Sequence, residues 1–433
     1  MAGAIADCSG VIGDIRTIAV ARHEAIREIT VEVADNEHAD ALREALEALD
    51  GVRVIWYRDR AFLAHEGGKL SVSGVRRVES NQDMRDVYTP GVARVCTAIA
   101  DEPDLARRYT TIGRTVAICT NGTRVLGLGD IGPVASMPVM EGKAMFYSQL
   151  AGISAVPVLI DTHDVDEFVA TVVRIAPSFG GIHLEDISAP ECFEIERRLI
   201  SELDQPVMHD DVHGTAVVTL AAAIVACREA GRRLDEAVVG QIGLGAAGFG
   251  IASLIKDSGA RRVIATDPGE EARSRASACG IEPVASLEEV MASADVVVAT
   301  TGVPDLISPS LVRDGQVILA LSNPDPEITV EAALEAGAAF AADGTVVNNV
   351  LGYPGMFRGA LLAGATAMTT EMKRAAAWAI AGLTVEAEQL VPDVLDPQVH
   401  CCVAAAVRQA AIDCGVGDPD RPPAAALERE PVR

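Results

Sequence analysis

Two adjacent pairs of acids, Glu185-Asp186 and Asp210-Asp211, each follow a short apolar run, GGIHL and PVMH respectively. Between them, APECFEIERRLISELD carries a helical pattern with a proline near its start, so the segment predicts strand–helix–strand. Crossovers between parallel strands are right-handed, which brings both strand ends to one edge of a sheet. Carboxylates gathered there make a hard oxygen site for Mg²⁺ or Mn²⁺, with positions left open for water or substrate. For a single pair, capping of the following helix is an equal alternative. Two pairs on successive strand ends, flanked by His183, His209 and His213, favour the metal site.

A second pattern starts at Gly243. The run AVVGQI leads into Gly243-Leu-Gly245-Ala246-Ala247-Gly248, then the helical FGIASLIKDSG, and the next apolar run, RRVIATD, ends on Asp267, 24 residues after Gly243. Strand, glycine turn, helix and acid in this order predict a dinucleotide site. Gly243 permits the tight turn, Gly245 lets the backbone approach the pyrophosphate and Gly248 lets the helix pack closely, with Ala246 and Ala247 in the same turn. The N–H groups that open the helix suit the phosphates. Asp267 should accept the adenosine ribose hydroxyls and repel a 2′-phosphate, which favours NAD. Arg273 and Arg275 keep NADP open.

Other polar residues stand in informative places. The chain has four lysines among 36 basic residues, so a lysine inside the apolar MPVMEGKAMFY is conspicuous. Lys143 reads either as a group snorkelling at a helix start or as a base whose pKa burial lowers. Tyr88, in VYTPGVA, sits in a loop from which a phenol can reach a cleft, or simply holds the loop. Arg124 precedes VLGLGD. Asn323, in SNPDP, and Asn348 and Asn349, in VVNNVLGYPG, offer neutral donors for a carboxylate, or form turns.

The elements that position these residues follow from the bulk pattern. A chain of 433 residues, 49% hydrophobic, supports two or three domains with full cores. A net charge of −26 speaks against nucleic acid and anionic membrane as partners, since both require a positive field. No uninterrupted apolar run approaches the about 20 residues of a bilayer span. MAGAIADCSG lacks the basic and apolar regions of a secretory signal. Nine cysteines without a CxxC pair suit reduced thiols in a cytoplasm. From about 213 to 350, strand-then-helix units with the runs AVVGQI, RRVIATD, DVVVATT and QVILALS predict an α/β fold with a doubly wound parallel sheet. The first 75 residues read as a small α+β unit. In it IREITVEVAD is a strand, HADALREALEAL an amphipathic helix and GVRVIWYRDRAFLAHEGG a strand pair with a turn. After Pro354 the chain turns Ala-rich and helical, and the tail DPDRPPAAALEREPVR is expected to be loose.

In order, YTPGVA, RVLGLGDIG, MPVMEGKA, GGIHLEDISAPECFEIE, HDDVHGTA, GLGAAG, SNPDPE and NNVLGYPGMFRGAL resemble the short bacterial and archaeal malic enzymes, over roughly residues 80–430. The resemblance implies oxidative decarboxylation of (S)-malate to pyruvate and CO₂ with NAD(P) and a divalent metal. It implies Glu185, Asp186 and Asp211 as metal ligands, with Asp210 an acid behind them. Lys143 would be the general base and Tyr88 the acid. Arg124 would hold a substrate carboxylate, with Asn323 and Asn349 as substrate amides and Asn323 also bordering the cofactor. It further implies an α/β substrate and metal domain over 76–212, a Rossmann-type NAD-binding domain over 213–350, a helical segment over 351–433, and a homodimer or larger assembly. Residues 1–75 resemble an ACT-type βαββαβ regulatory module that opens within its first helix, AGAIADCSGVIGDI, without its first strand, and so imply a small-molecule effector. A malolactic or oxaloacetate-decarboxylating activity would use the same site. A metabolite sensor with a vestigial core is a further alternative, and the complete set of Tyr88, Lys143, Glu185, Asp186 and Asp211 argues against it.

Overall fold

The computed structural model describes residues 1–345, 347–384 and 389–420. The chain folds as two units, Met1–Gly67 and Gly68–Arg433. The tail expected to be loose lies mostly in 421–433, outside the described residues.

In the first unit, α1 (Ala2–Asp7) leads into an antiparallel hairpin of β1 (Val11–Val20) and β2 (Ala25–Glu32), then α2 (Asn36–Glu47) and α3 (Arg60–His65). Two expectations need correction. The first helix ends at Asp7 because Ser9 takes a left-handed φ of 62° before Gly10, and the β-branched run that follows forms a strand. The run GVRVIWYRDRAFLAHEGG holds no strand: residues 52–59 are irregular and Arg60–His65 is helical. A strand needs a neighbour for its backbone groups. Here β1 and β2 pair with each other, and Ile55, Trp56 and Tyr57 stay more than half exposed.

The second unit opens with three short helices, α4 (Asn81–Val87), α5 (Gly91–Asp101) and α6 (Leu105–Tyr109), none of which contributes a buried residue. There follow β3 (Thr115–Thr120), α7 (Gly132–Ala151), β4 (Ser154–Leu159), α8 (Val165–Ile175), β5 (Gly181–Leu184), α9 (Glu191–Glu202), β6 (Val207–His209) and α10 (Asp210–Glu229). The four strands are parallel in the order β4-β3-β5-β6, so the ends of β5 and β6 lie side by side, as the acidic pairs require. Side chains of β3 alternate between two cores: Val116 and Ile118 face Met140, Ala144 and Tyr147 of α7, while Ala117 and Cys119 join Phe168 and Val172 of α8 and Leu199 of α9. By length and composition α10 could cross a membrane, yet 78% of its most apolar stretch is buried inside the protein. A helix apolar on all sides is a core helix here.

The next sheet comprises β7 (Val238–Ile242), β8 (Arg262–Thr266), β9 (Glu282–Pro283), β10 (Val296–Ala299), β11 (Val317–Ala320) and β12 (Phe340–Asp343). Its helices are α11 (Ala246–Asp257), α12 (Glu270–Ala278), α13 (Leu287–Ser293) and α14 (Val330–Glu335). All strands are parallel in the order β12-β11-β10-β7-β8-β9, which reverses direction between β7 and β10. That is the doubly wound order, and ligands bind at such a reversal, outside the carboxyl ends of the strands. The helical C-terminal segment forms α15 (Tyr353–Ala363), α16 (Thr370–Leu383) and α17 (Pro397–Asp413), whose apolar residues join the same core as α7 and α10.

Candidate active site

Glu185 and Asp186 follow the last residue of β5, and Asp211 lies in the first turn of α10. Asp186 has a left-handed φ of 53°, a conformation aspartate tolerates better than most residues. Its N–H donates to Asp211 Oδ2 at 3.0 Å. One carboxylate oxygen from each of Glu185, Asp186 and Asp211 lies within 4.8 Å of the others. Burial, then repulsion from Asp211, raises the pKa of Glu185 well above the usual range and that of Asp186 to about 7. Asp186 Oδ2 is buried without a partner. Crowded carboxylates with an unsatisfied oxygen fit a divalent cation held by Glu185, Asp186 and Asp211.

Lys143, on α7 and 8% exposed, reaches into this cluster from the side. Its Nζ donates to Asp210 Oδ2 at 2.7 Å and lies 3.0 Å from Glu185 Oε1, above the Tyr353 ring. The expectation of a lowered lysine pKa is corrected. Burial does push it down, but Asp210 and Glu185 outweigh burial and hold it well above the ordinary value. Asp210 is fully buried beneath the lysine; burial raises its pKa against the opposing pull of Lys143.

Two residues behind the cluster, Tyr147 and Glu196, escaped the sequence reading, whereas His183 was noted only as a neighbour of the acids. His183, fully buried, pairs through Nε2 with Glu185 Oε2 at 2.7 Å and through Nδ1 with the Tyr147 hydroxyl at 2.8 Å. Tyr147 lies one turn after Lys143 on the same face of α7, and that i, i+4 spacing was the available signal. Glu196 of α9 accepts from the His209 N–H at 2.8 Å and pairs with His213 at 2.9 Å, which ties α9 to the start of α10.

Lys143, Glu185, Asp186, Asp211 and Arg124 line a cavity of about 650 Å³ together with Gly245, Ala246, Ala247 and Gly248 of the glycine turn. An adjoining cavity of about 590 Å³ is bordered by Asn323 and Asn348, and Arg124 and Asn349 border both. The acids, the lysine and the glycine turn thus share one cleft. Gly243 has a φ of 87°, and a Cβ on Gly248 would come 2.0 Å from Gly243 O, so each glycine is required where it stands. Asp267 sits beneath the turn, accepting from the Leu244 N–H and the Gly269 N–H, each at 2.7 Å. A carboxylate has lone pairs left for a ribose after two such bonds. The two arginines that left NADP open are turned to backbone: Arg273 donates to Asp267 O and Pro268 O. Arg275 donates to Leu244 O at 3.2 Å and lies against the rings of Phe193 and Phe249.

Asn323 donates through Nδ2 to Gly344 O at 3.1 Å, and Asn348 accepts from the Val350 N–H at 3.0 Å as a cap. Tyr88 is not brought to the cleft. It ends α4, is 67% exposed and lines neither cavity.

A doubly wound sheet whose glycine turn faces an acid-lined cleft bearing a buried lysine defines an α/β dehydrogenase. Residues 67–200 match the malic enzyme N-terminal domain, and residues 217–305 match the NAD-binding domain of D-isomer specific 2-hydroxyacid dehydrogenases. The chain is 54% identical to NAD-dependent malic enzyme 1 of Bacillus subtilis (strain 168) over 413 residues, 95% of this chain and 94% of the relative. It is 41% identical to the NAD-dependent malic enzyme of Geobacillus stearothermophilus, over 98% of this chain and 93% of that one. The crystal structure of the malic enzyme from Pyrococcus horikoshii Ot3 superposes with a TM-score of 0.77 at 37% identity, covering 81% of this chain and 88% of that one. The chain belongs to the malic enzyme family.

Proposed function

We propose that this protein oxidises (S)-malate to pyruvate and CO₂ while reducing NAD, with a divalent cation at Glu185, Asp186 and Asp211. The observation that carries this reading is that Lys143 touches both Glu185 and Asp210 in the cleft that also holds the glycine turn. A bound Mg²⁺ or Mn²⁺ supplies Lewis-acid polarisation of the oxygen on C2. Lys143 passes its proton to Asp210 Oδ2, 2.7 Å away, and then takes the C2 hydroxyl proton at Nζ, while NAD held at the glycine turn would supply the hydride acceptor. Arg124 holds a carboxylate through a forked contact, and the amides of Asn323 and Asn349 orient the same substrate. Tyr88, the acid that the family resemblance implies for C3, could act only in the cleft of a second copy of the chain.

Within its own chain Tyr88 lines neither cavity, and its neighbours Met84, Val87, Val92 and Val95 are exposed. A homodimer that covers this apolar face accounts for both observations. The hairpin and helix of residues 1–67 support an ACT-like module that binds a small-molecule effector. Nine unpaired cysteines support a reducing, cytoplasmic setting.

The test is a steady-state assay of malate with NAD or NADP, with and without chelator. The expected outcome is chelator-sensitive NADH formation with NAD preferred. Release of CO₂ without any NADH would replace this reading with a redox-neutral decarboxylation at the same site.

A further inference from the structure

The SNPDPE segment contains an acid that none of the roles above uses. Glu327 is fully buried, and its partners are hydroxyls and backbone N–H groups. Its Oε1 accepts from the Thr301 N–H at 2.5 Å, the Thr301 hydroxyl at 2.8 Å and the Ser322 hydroxyl at 2.6 Å. Ser322 Oγ in turn accepts from the Gly302 N–H at 2.8 Å. Thr301 and Gly302 belong to the loop after β10, and Ser322 to the loop after β11, which continues into Asn323. Thr301, Gly302, Ser322 and Asn323 all line the adjoining cavity. One carboxylate oxygen therefore pins together two loops at the carboxyl edge of the doubly wound sheet, beside the reversal where a dinucleotide binds.

We infer that Glu327 is a positioning residue for the nicotinamide half of the cofactor and for Asn323, acting through Thr301 and Ser322 rather than by touching either ligand. The inference rests on the proposed NAD-linked reaction for its kinetic consequence, but not for its binding consequence. Three donors converge on Oε1, those of Thr301 part-buried and that of Ser322 buried, and deleting the acceptor leaves them unmet, so the two loops lose their common anchor. A displacement of about 1 Å at such a wall is enough to change turnover by up to about a hundredfold.

The experiment compares the full-length wild-type protein with Glu327→Ala and Glu327→Gln. It reads NAD affinity by titration calorimetry without malate, Mn²⁺ affinity by paramagnetic resonance, and kcat and KM in the malate assay. Glu327→Ala should weaken NAD binding about tenfold and lower kcat by about ten- to a hundredfold, with Mn²⁺ affinity within about twofold because the three metal acids lie elsewhere. Glutamine keeps an oxygen at the Oε1 position and should recover NAD affinity to within about threefold of wild type. Wild-type NAD affinity and kcat in a folded Glu327→Ala protein would overturn the inference. So would equal damage to NAD and Mn²⁺ binding in both variants, which marks a general loss of structure. Should Glu327→Ala fail to fold, Glu327→Asp, one methylene shorter, is judged by the same criteria. A wild-type protein that forms no NADH from malate would sink the proposed reaction, while the calorimetry would still decide the role of Glu327.

Discussion

Asp210 and Gly214 fit each other: a Cβ placed on Gly214 would come 1.8 Å from Asp210 Oδ1. Both lie in the first turns of α10, four residues apart, where side chains share one face. The missing side chain leaves the space in which Asp210 stands beneath the Lys143 ammonium. In Gly214→Ala the carboxylate must swing away and the lysine loses its 2.7 Å partner. A fall in kcat of about a hundredfold is expected, with a smaller change in NAD affinity, both read in steady-state and binding assays.

Lys143→Ala should lower kcat by about two to four orders of magnitude, the range of a lost general base, while NAD still binds. It should also lower stability by about 3–5 kcal/mol, because Asp210 and Glu185 are left buried without their cation. Denaturant unfolding with and without Mn²⁺ checks the second part. Full turnover would remove Lys143 from the mechanism.

The raised carboxylate pKa values fix the direction of a pH effect. Asp186 is raised to about 7 and Glu185 well above its usual range, so their protonated forms are favoured in the folded state relative to the unfolded chain. The stability from this preference is complete below the unfolded carboxylate values, near pH 4, and is lost as pH rises through the folded ones. Between about pH 5 and 8 the contribution of these two acids therefore falls as pH rises. His183 and His213, whose pKa values burial lowers, contribute with the opposite slope, so the acids are read through their metal dependence. Because a cation needs the carboxylates deprotonated, the stabilisation by Mn²⁺ should grow over the same window. A Mn²⁺-induced shift that is equal at both ends would refute the assignment of these acids.

His183→Ala should weaken Mn²⁺ binding by about ten- to a hundredfold, the usual effect of removing a group that orients a ligand, since it deletes the 2.7 Å partner of Glu185. Direct Mn²⁺ titration reads this, and NAD affinity measured alongside should not change.

Asp267→Ala should cut kcat/KM for NAD by about tenfold and narrow the preference over NADP, since it removes both the ribose acceptor and the brace on the Leu244 N–H. Because Arg273 and Arg275 are tied to backbone carbonyls, the variant should not become a good NADP enzyme. An unchanged cofactor ratio would show that another residue sets the choice.

The doubly wound sheet, the glycine turn and the gathering of two acidic pairs at one sheet edge were legible in the chain because each rests on local signals. The choice of Glu185, Asp186 and Asp211 as ligands came only from the family resemblance. Runs of β-branched residues between helical segments announce buried strands, and acids at the ends of two such strands must meet if the strands are parallel. The first unit was read less well. Whether 52–59 forms a strand depends on a neighbour elsewhere in the chain, and hydrophobic alternation carries no information about that neighbour. Tyr88 was assigned by its motif, and no property of VYTPGVA tells whether its hydroxyl reaches the cleft of its own chain.

What the sequence by itself determined is the inventory of the site and the sheet edge on which it gathers, since side-chain type and strand periodicity are properties of short segments. What only the tertiary structure decided is which charge holds which. Asp210 and Glu185 keep Lys143 protonated, His183 backs Glu185, and Glu327 locks two loops together. Those pairings join residues from different segments, and the electrostatic and hydrogen-bonding energies involved vary steeply over a few ångströms that packing alone sets.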